Sequence, residues 1–376
     1  MYDLIIRAAR LCDEQVVDIA LQDGRIAAIG RVQGSARRER NLAGRVYLSA
    51  GWIDSHVHCY PKSPIYHDEA DAIGVAHGVT TVVDAGSTGA DHIDDFYRLT
   101  RTATTQVYAL INIARTGIVT QNELADMTQI DGEAVQQAVT QLPDFIVGLK
   151  ARISSSVVGK NGVQPLIKAK AIQQQSGGLP LMVHIGNNPP DLDQIVDLLT
   201  SGDIITHCFN GKPNRILTPQ GELKVAVKQA IARGVRLDVG HGSASFSFEV
   251  ARAAIAQGIL PDTISSDIYC RNRLAGPVHS LAHVMSKFFS VGMTLPQVID
   301  CVTGRAAAGL RLQRKGQLKV GYDADLTVFS VKQESQPFID SEGEQVAGEK
   351  HLIPLAAVVA GEWFATEEGA AHEFGL

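Results

Sequence analysis

The sequence predicts an α/β fold: a (β/α)8 TIM barrel with a small β-sandwich domain built from both termini. Three observations carry this. Across residues 51–316, apolar β-branched segments alternate with helical stretches. The eight strand candidates end near His58, Asp84, Asn112, Lys150, His184, His207, Gly240 and Asp267. They lie about 25–35 residues apart, the length of one strand–helix unit. Residues 1–50 and 317–376 read instead as short strands with turns. Alternating units of this kind build a parallel sheet covered by helices. An open doubly wound sheet would carry a Gly-rich phosphate turn after its first strand. Here that strand, Gly51-Trp52-Ile53, runs into Asp54-Ser55-His56-Val57-His58.

Taken in order, Asp3–Ile6, Val16–Leu21 and Arg25–Ile29 are strand candidates, and Asp23-Gly24 marks a hairpin between the last two. The basic run Arg37-Arg38-Glu39-Arg40 reads as a solvated turn. In the barrel, helices are expected over Leu192–Leu199, from Thr218-Pro219 to near Gly234, over Phe248–Gln257 before Gly258, and over Pro296–Leu310. Leu281, Val284, Met285, Phe288 and Phe289 form a helical stripe for the core. Ser154–Gly162, rich in Ser and Gly, has the composition of a mobile lid. In the tail, Asp325–Phe329 and Ala356–Ala360 are strands, with a polar loop around Ser335–Gly348 between them.

At 376 residues the chain suits one large domain and a smaller one. The division expected is 51–316 for the barrel and 1–50 plus 317–376 for the β domain. With 45% apolar residues, 20% charged residues and a net charge of −6, the composition is that of a globular protein without a basic footprint for nucleic acid. No run approaches the roughly 18 apolar residues of a membrane span, and the start lacks the features of a signal peptide. A cytoplasmic protein is expected. Cys12, Cys59, Cys208, Cys270 and Cys301 are dispersed and odd in number, which argues against a disulfide framework.

Barrel enzymes place their chemistry at the C-terminal ends of the strands. Those ends carry His56 and His58, Lys150, His184, His207 and Asp267. Side chains alternate faces along a strand, so His56 and His58 point the same way. Each residue alone has a bland explanation: a satisfied polar histidine, a salt-bridging lysine, an Asp helix cap. Together they form one metal-ligand set at one barrel mouth, provided Lys150 becomes an acceptor.

This pattern resembles the amidohydrolase superfamily: His-x-His after strand one, Lys after strand four, His after strands five and six, Asp after strand eight. Gly321-Tyr322-Asp323-Ala324-Asp325-Leu326 and Asp23-Gly24-Arg25-Ile26 also resemble family segments. Gly148–Arg152, His184-Ile185-Gly186, His207–Lys212 and Asp267-Ile268-Tyr269 look closest to a bacterial deacetylase or dihydroorotase-like metallohydrolase group. The resemblance implies two divalent ions, usually zinc, with His56, His58 and Asp267 on one and His184 and His207 on the other. Lys150, N-carboxylated by CO2, would bridge them. It further implies that a hydroxide shared by the ions attacks the substrate while Asp267 moves its proton. A homo-oligomer is common in that family.

The substrate expected is a small carboxylate-bearing molecule, cleaved at an acyl amide or acyl ester. Candidate binding residues are Arg152, Asn210, His241, Tyr269, Arg271 and Arg273, with Lys212 a further lining residue. Dihydroorotases usually carry Arg two residues after His-x-His, where this chain has Tyr60. Deacylation therefore ranks above the alternative, a dihydroorotase-like cyclic amidase. A non-catalytic scaffold ranks last because every ligand of the pattern is present.

Overall fold

The computed structural model describes residues 1–372 and 374. The chain opens with β1 (Tyr2–Arg10), β2 (Val16–Gln22), β3 (Arg25–Gly30), β4 (Ala36–Asn41) and β5 (Tyr47–Ala50). It continues with β6 (Trp52–Val57), β7 (Val79–Ala85), β8 (Gln106–Asn112), β9 (Ile146–Arg152), β10 (Leu181–His184), β11 (Ile204–Thr206) and β12 (Arg236–Asp238). It closes with β13 (Leu326–Ile339), β14 (Gln345–Val359) and β15 (Glu362–Ala365).

Both chain ends meet in one eight-stranded sheet of order β15-β14-β13-β5-β1-β2-β3, with β4 pairing parallel to β1. Asp23 and Gly24 both take left-handed φ, 51° and 71°, between the paired residues Gln22 and Arg25. That is the two-residue turn the Asp-Gly signal predicts. Leu4, Ile19 and Leu21 from one half of the sheet share an apolar cluster with Leu48, Leu326 and Val358 from the other. The Asp323-Ala324-Asp325 segment anchors this sheet: Lys315 Nζ donates to Asp325 Oδ2 at 2.7 Å and Asp323 Oδ2 at 3.1 Å.

The middle of the chain forms a curled, seven-stranded parallel sheet in sequence order from β6 to β12. β6, β7 and β9 are almost wholly buried, as strands covered on both faces must be. The segment expected as an eighth strand lies between the two edges. Thr263 bridges Asp238 of β12, and Ile268 bridges Val57 of β6, both in parallel sense. Asp267 N donates to His56 O at 2.7 Å, and His58 N to Ile268 O at 2.9 Å. No continuous strand forms there because Asp267 takes a left-handed φ of 52°. The carboxylate of Asp54 instead accepts from the backbone and hydroxyl of Ser266.

Several local expectations are corrected. Arg37–Arg40 lies inside β4, not in a turn, because its backbone pairs with β1 while its side chains stay at the surface. The helix expected to open at Pro219 starts at Val225, after a loop closed by a Leu217–Leu223 bridge. Pro296–Leu310 is two helices, Leu295–Asp300 and Gly304–Gly309. Ser154–Gly162 contains the short helix Ser155–Val158, with Val157 and Val158 buried. The polar loop expected around Ser335–Gly348 is mostly strand. β13 and β14 extend as a long hairpin arm whose turn spans only 340–344. The arm lies on the barrel through Phe338 and Leu352 in the main core. At its tip, Asp340 Oδ2 accepts from Phe248 N at 2.9 Å and Ser341 N donates to Phe246 O at 2.9 Å. Among the described residues, no helix is long and apolar enough to cross a membrane.

Candidate active site

His56 and His58, at the end of β6, both turn into the barrel mouth, where their Nε2 atoms lie 3.2 and 3.0 Å from Asp267 Oδ1. Lys150 Nζ, from β9, lies 3.3 Å from His56 Nε2. The His184 and His207 rings stand edge to face, 4.6 Å apart, and His207 is 5.2 Å from His56. Ligand atoms of His56, His207 and Asp267 all fall within 4.8 Å of one another. The structure thus brings all six expected residues to one place. Separations near 3 Å are those of neighbouring donors on one ion at ~2.0–2.2 Å.

Outer contacts aim the rings. Thr206 Oγ1 donates to Asp238 Oδ2 at 2.7 Å, so it must accept from His56 Nδ1 at 2.9 Å. His207 Nδ1 donates to the Gly240 carbonyl at 2.6 Å. With Nδ1 so engaged, both rings turn Nε2 toward the site, the nitrogen a metal would take. His58 Nδ1 is held by Ser87 Oγ at 2.8 Å. His207 and Asp267 are non-glycine residues in left-handed backbone, at φ 64° and 52°. Each such residue costs about 1–2 kcal/mol, which the contacts around His207 and Asp267 must offset.

The electrostatics suit the same role. Burial lowers the pKa of His184 well below the histidine range and that of His207 to about 3, keeping both as neutral ligands. Burial also lowers Lys150 to about 8, which brings its neutral amine within reach near pH 7. Burial would raise Asp267, but His56 and His58 beside it outweigh that and hold it well below the carboxylate range.

The mouth opens into a cavity of about 180 Å³, walled beyond the ligand set by Tyr66, Gln121, Arg152, Asn187, Lys212 and Tyr269, among others. Of the expected residues, Arg152, Lys212 and Tyr269 line it. Arg152 is committed inward: it forms a two-pronged pair with Glu123 at 2.7 and 2.5 Å, with side-chain exposures of 7% and 0%. Arg152→Met strands the Glu123 charge and is expected to cost about 3–5 kcal/mol, read as a lower urea midpoint.

The other candidates are corrected. Asn210 is buried and braces its own turn, donating to His207 O and accepting from Lys212 N, both at 3.0 Å. His241 is fully buried behind the cavity, with both ring nitrogens bonded internally. Arg273 pairs with Asp68 at 2.8 and 2.9 Å, and Arg271 is exposed on a helix outside the cavity wall. Tyr60, the position used to rank substrates, also faces elsewhere and donates to Asp95 Oδ2 at 2.7 Å. Sequence reasoning missed Tyr66 and Gln121, which come from loops with no motif. It also missed the bracing role of Thr206 and Asp238, although an acid inside an apolar strand was a readable signal.

The chain is similar to known proteins over nearly its whole length. A family model described as a deacetylase-like composite domain matches residues 318–365. A deacetylase of Enterococcus faecalis is 45% identical over 363 residues, covering 96% of this chain and 98% of that one. The deacetylase Atu3266 of Agrobacterium fabrum is 36% identical, over 90% of this chain and 84% of its own. Among solved structures, one described as an adenine deaminase superposes with a TM-score of 0.96 at 44% identity, covering 97% of this chain and all of that one. One described as a dihydroorotase gives 0.89 at 34%, covering 97% and 99%. With this extent of shared sequence and fold, the chain belongs to the amidohydrolase superfamily, in its deacetylase-like group.

Proposed function

We propose that this enzyme removes an acyl group, acetyl foremost, from the nitrogen or oxygen of a small acid. The observation that carries the reading is the convergence of His56, His58, Lys150, His184, His207 and Asp267 on one cavity. The donor set suits two divalent ions such as zinc: His56, His58 and Asp267 would hold one, His184 and His207 the other, and Lys150 would serve both once carboxylated. When bound, such ions supply Lewis-acid polarisation and a water that ionises near neutral pH. Asp267 would take the proton of the attacking water and deliver it to the leaving nitrogen or oxygen.

The cavity's volume limits the substrate to a small molecule. Lys212 supports an acidic one. Its Nζ lies 3.5 Å from where a Cβ on Gly186 would stand, and His184 Nε2 lies 3.4 Å from the same point. Among the described residues, that ammonium has no acidic partner within 4 Å, whereas Arg152 is tied to Glu123. Lys212 is thus the anchor for the substrate carboxylate. Lys212→Ala is expected to raise KM for acidic substrates about 10- to 100-fold while sparing a neutral acetyl ester; an equal loss on both would remove the anchor. We also infer that the segment through Thr263–Ile268 completes an eight-stranded barrel, with 1–50 plus 317–376 as the second domain. The similarity to a structure described as a dihydroorotase keeps ring opening as the second reading. Zinc-loaded protein offered N-acetyl and O-acetyl acids beside cyclic ureides separates the two: release of acetate supports deacylation, and ring opening without acetate overturns it.

A further inference from the structure

Behind the candidate site, and lining none of it, lies a buried cation that the reaction as read does not use. Lys287, in the helix Leu281–Lys287, is fully buried. Its Nζ lies 2.8 Å from His241 Nε2, 3.0 Å from Pro277 O and 2.6 Å from Ile339 O. His241 Nδ1 donates to Gly242 O at 2.8 Å, so Nε2 accepts from the lysine. The His241 ring also stacks on Phe246 at 4.7 Å. Three segments meet at this one ammonium: the turn after β12, the loop at Pro277, and the hairpin arm at Ile339. The arm adds a second tie, Ser341 Oγ donating to Gly242 O at 3.1 Å.

The turn so held forms one wall of the ligand set. Gly240 and Gly242 both take left-handed φ, 47° and 57°. A Cβ on Gly240 would stand 2.9 Å from His207 Nδ1, and one on Gly242 would stand 2.5 Å from Asp267 Oδ2. Backbone therefore abuts the Asp267 carboxylate directly, and any drift of the turn frees or crowds that side chain.

We propose that Lys287 and His241 form a positioning pair that, with the arm of β13 and β14, fixes Gly242 against Asp267 and so sets the orientation of the carboxylate. The proposal rests on the reading of Asp267 as a ligand and proton carrier. An unpaired ammonium would be costly to bury, yet this one is placed where three acceptors of different segments converge, which makes it a joint rather than core filler.

The test is a double-mutant cycle with Lys287→Met, close in length, and His241→Phe, which keeps the stack on Phe246. Each single variant should lower kcat on an acetylated acid about 10- to 100-fold, with KM little changed and zinc retained. The double variant should be no worse than the poorer single one, because both residues act through one turn. The visible spectrum of the cobalt-substituted protein should shift in each variant at unchanged cobalt content. A variant that is merely less heat-stable, with wild-type kcat and wild-type cobalt spectrum, overturns the proposal, as does an additive cycle. If Lys287→Met does not fold, His241→Phe alone decides by the same kcat and spectral readouts. If the wild-type protein hydrolyses no acetylated acid, the activity reading fails separately, and the cobalt spectra still decide whether the pair positions Asp267.

Discussion

Asp267→Asn is expected to lower turnover by about 100- to 10,000-fold, the range general acid–base assistance supplies, while most of the zinc stays bound. The physical reason lies in what the substitution spares. Asparagine keeps the shape, one oxygen toward His56 and His58, and the left-handed backbone that Asn tolerates better than most residues. It loses the second carboxylate oxygen and the capacity to carry a proton. The side chain is about 20% exposed, open to the cavity and yet in contact with both histidines. Measured kcat beside zinc per chain decides the matter. Near-wild-type turnover would assign the proton transfer elsewhere, and loss of zinc in proportion to activity would reduce Asp267 to a ligand.

Lys150→Met has the other large expected effect: zinc per chain should fall below one, and activity by about 100-fold or more. Methionine fills nearly the same volume, so packing at this buried position is kept. What disappears is the only amine in the ligand set. Lys150 Nζ, between His56 Nε2 and Ala85 O, is the one nitrogen there able to add CO2 and present two oxygens. Its pKa of about 8 leaves enough neutral amine for that addition, and two bound cations would keep the anion from reverting. A full zinc complement in the variant would show that histidines and Asp267 suffice, and would sink the carbamate assignment.

The sequence determined which side chains gather at the candidate site. Strand geometry fixes which side chains leave an apolar strand at its end and on which face, so His56, His58, Lys150, His184 and His207 could be read from spacing alone. It likewise determined the parallel sheet of β6 to β12 and the sharing of one small sheet by both chain ends, because apolar alternation and Asp-Gly turns are local signals. Tertiary structure alone decided the surroundings of that set. Arg152, Arg273, Asn210 and His241 looked available for a substrate because a sequence shows a cation or a donor without its partner. Folding supplied Glu123, Asp68 and Lys287 from distant segments, and the His207 carbonyl from Asn210's own turn. The hairpin arm was missed for a related reason: its polar residues read as loop, and only the facing strand and the barrel beneath it make them strand. Chemistry carried on strand ends is legible one residue at a time, whereas whether a polar group is free depends on pairings that exist only once the chain has closed.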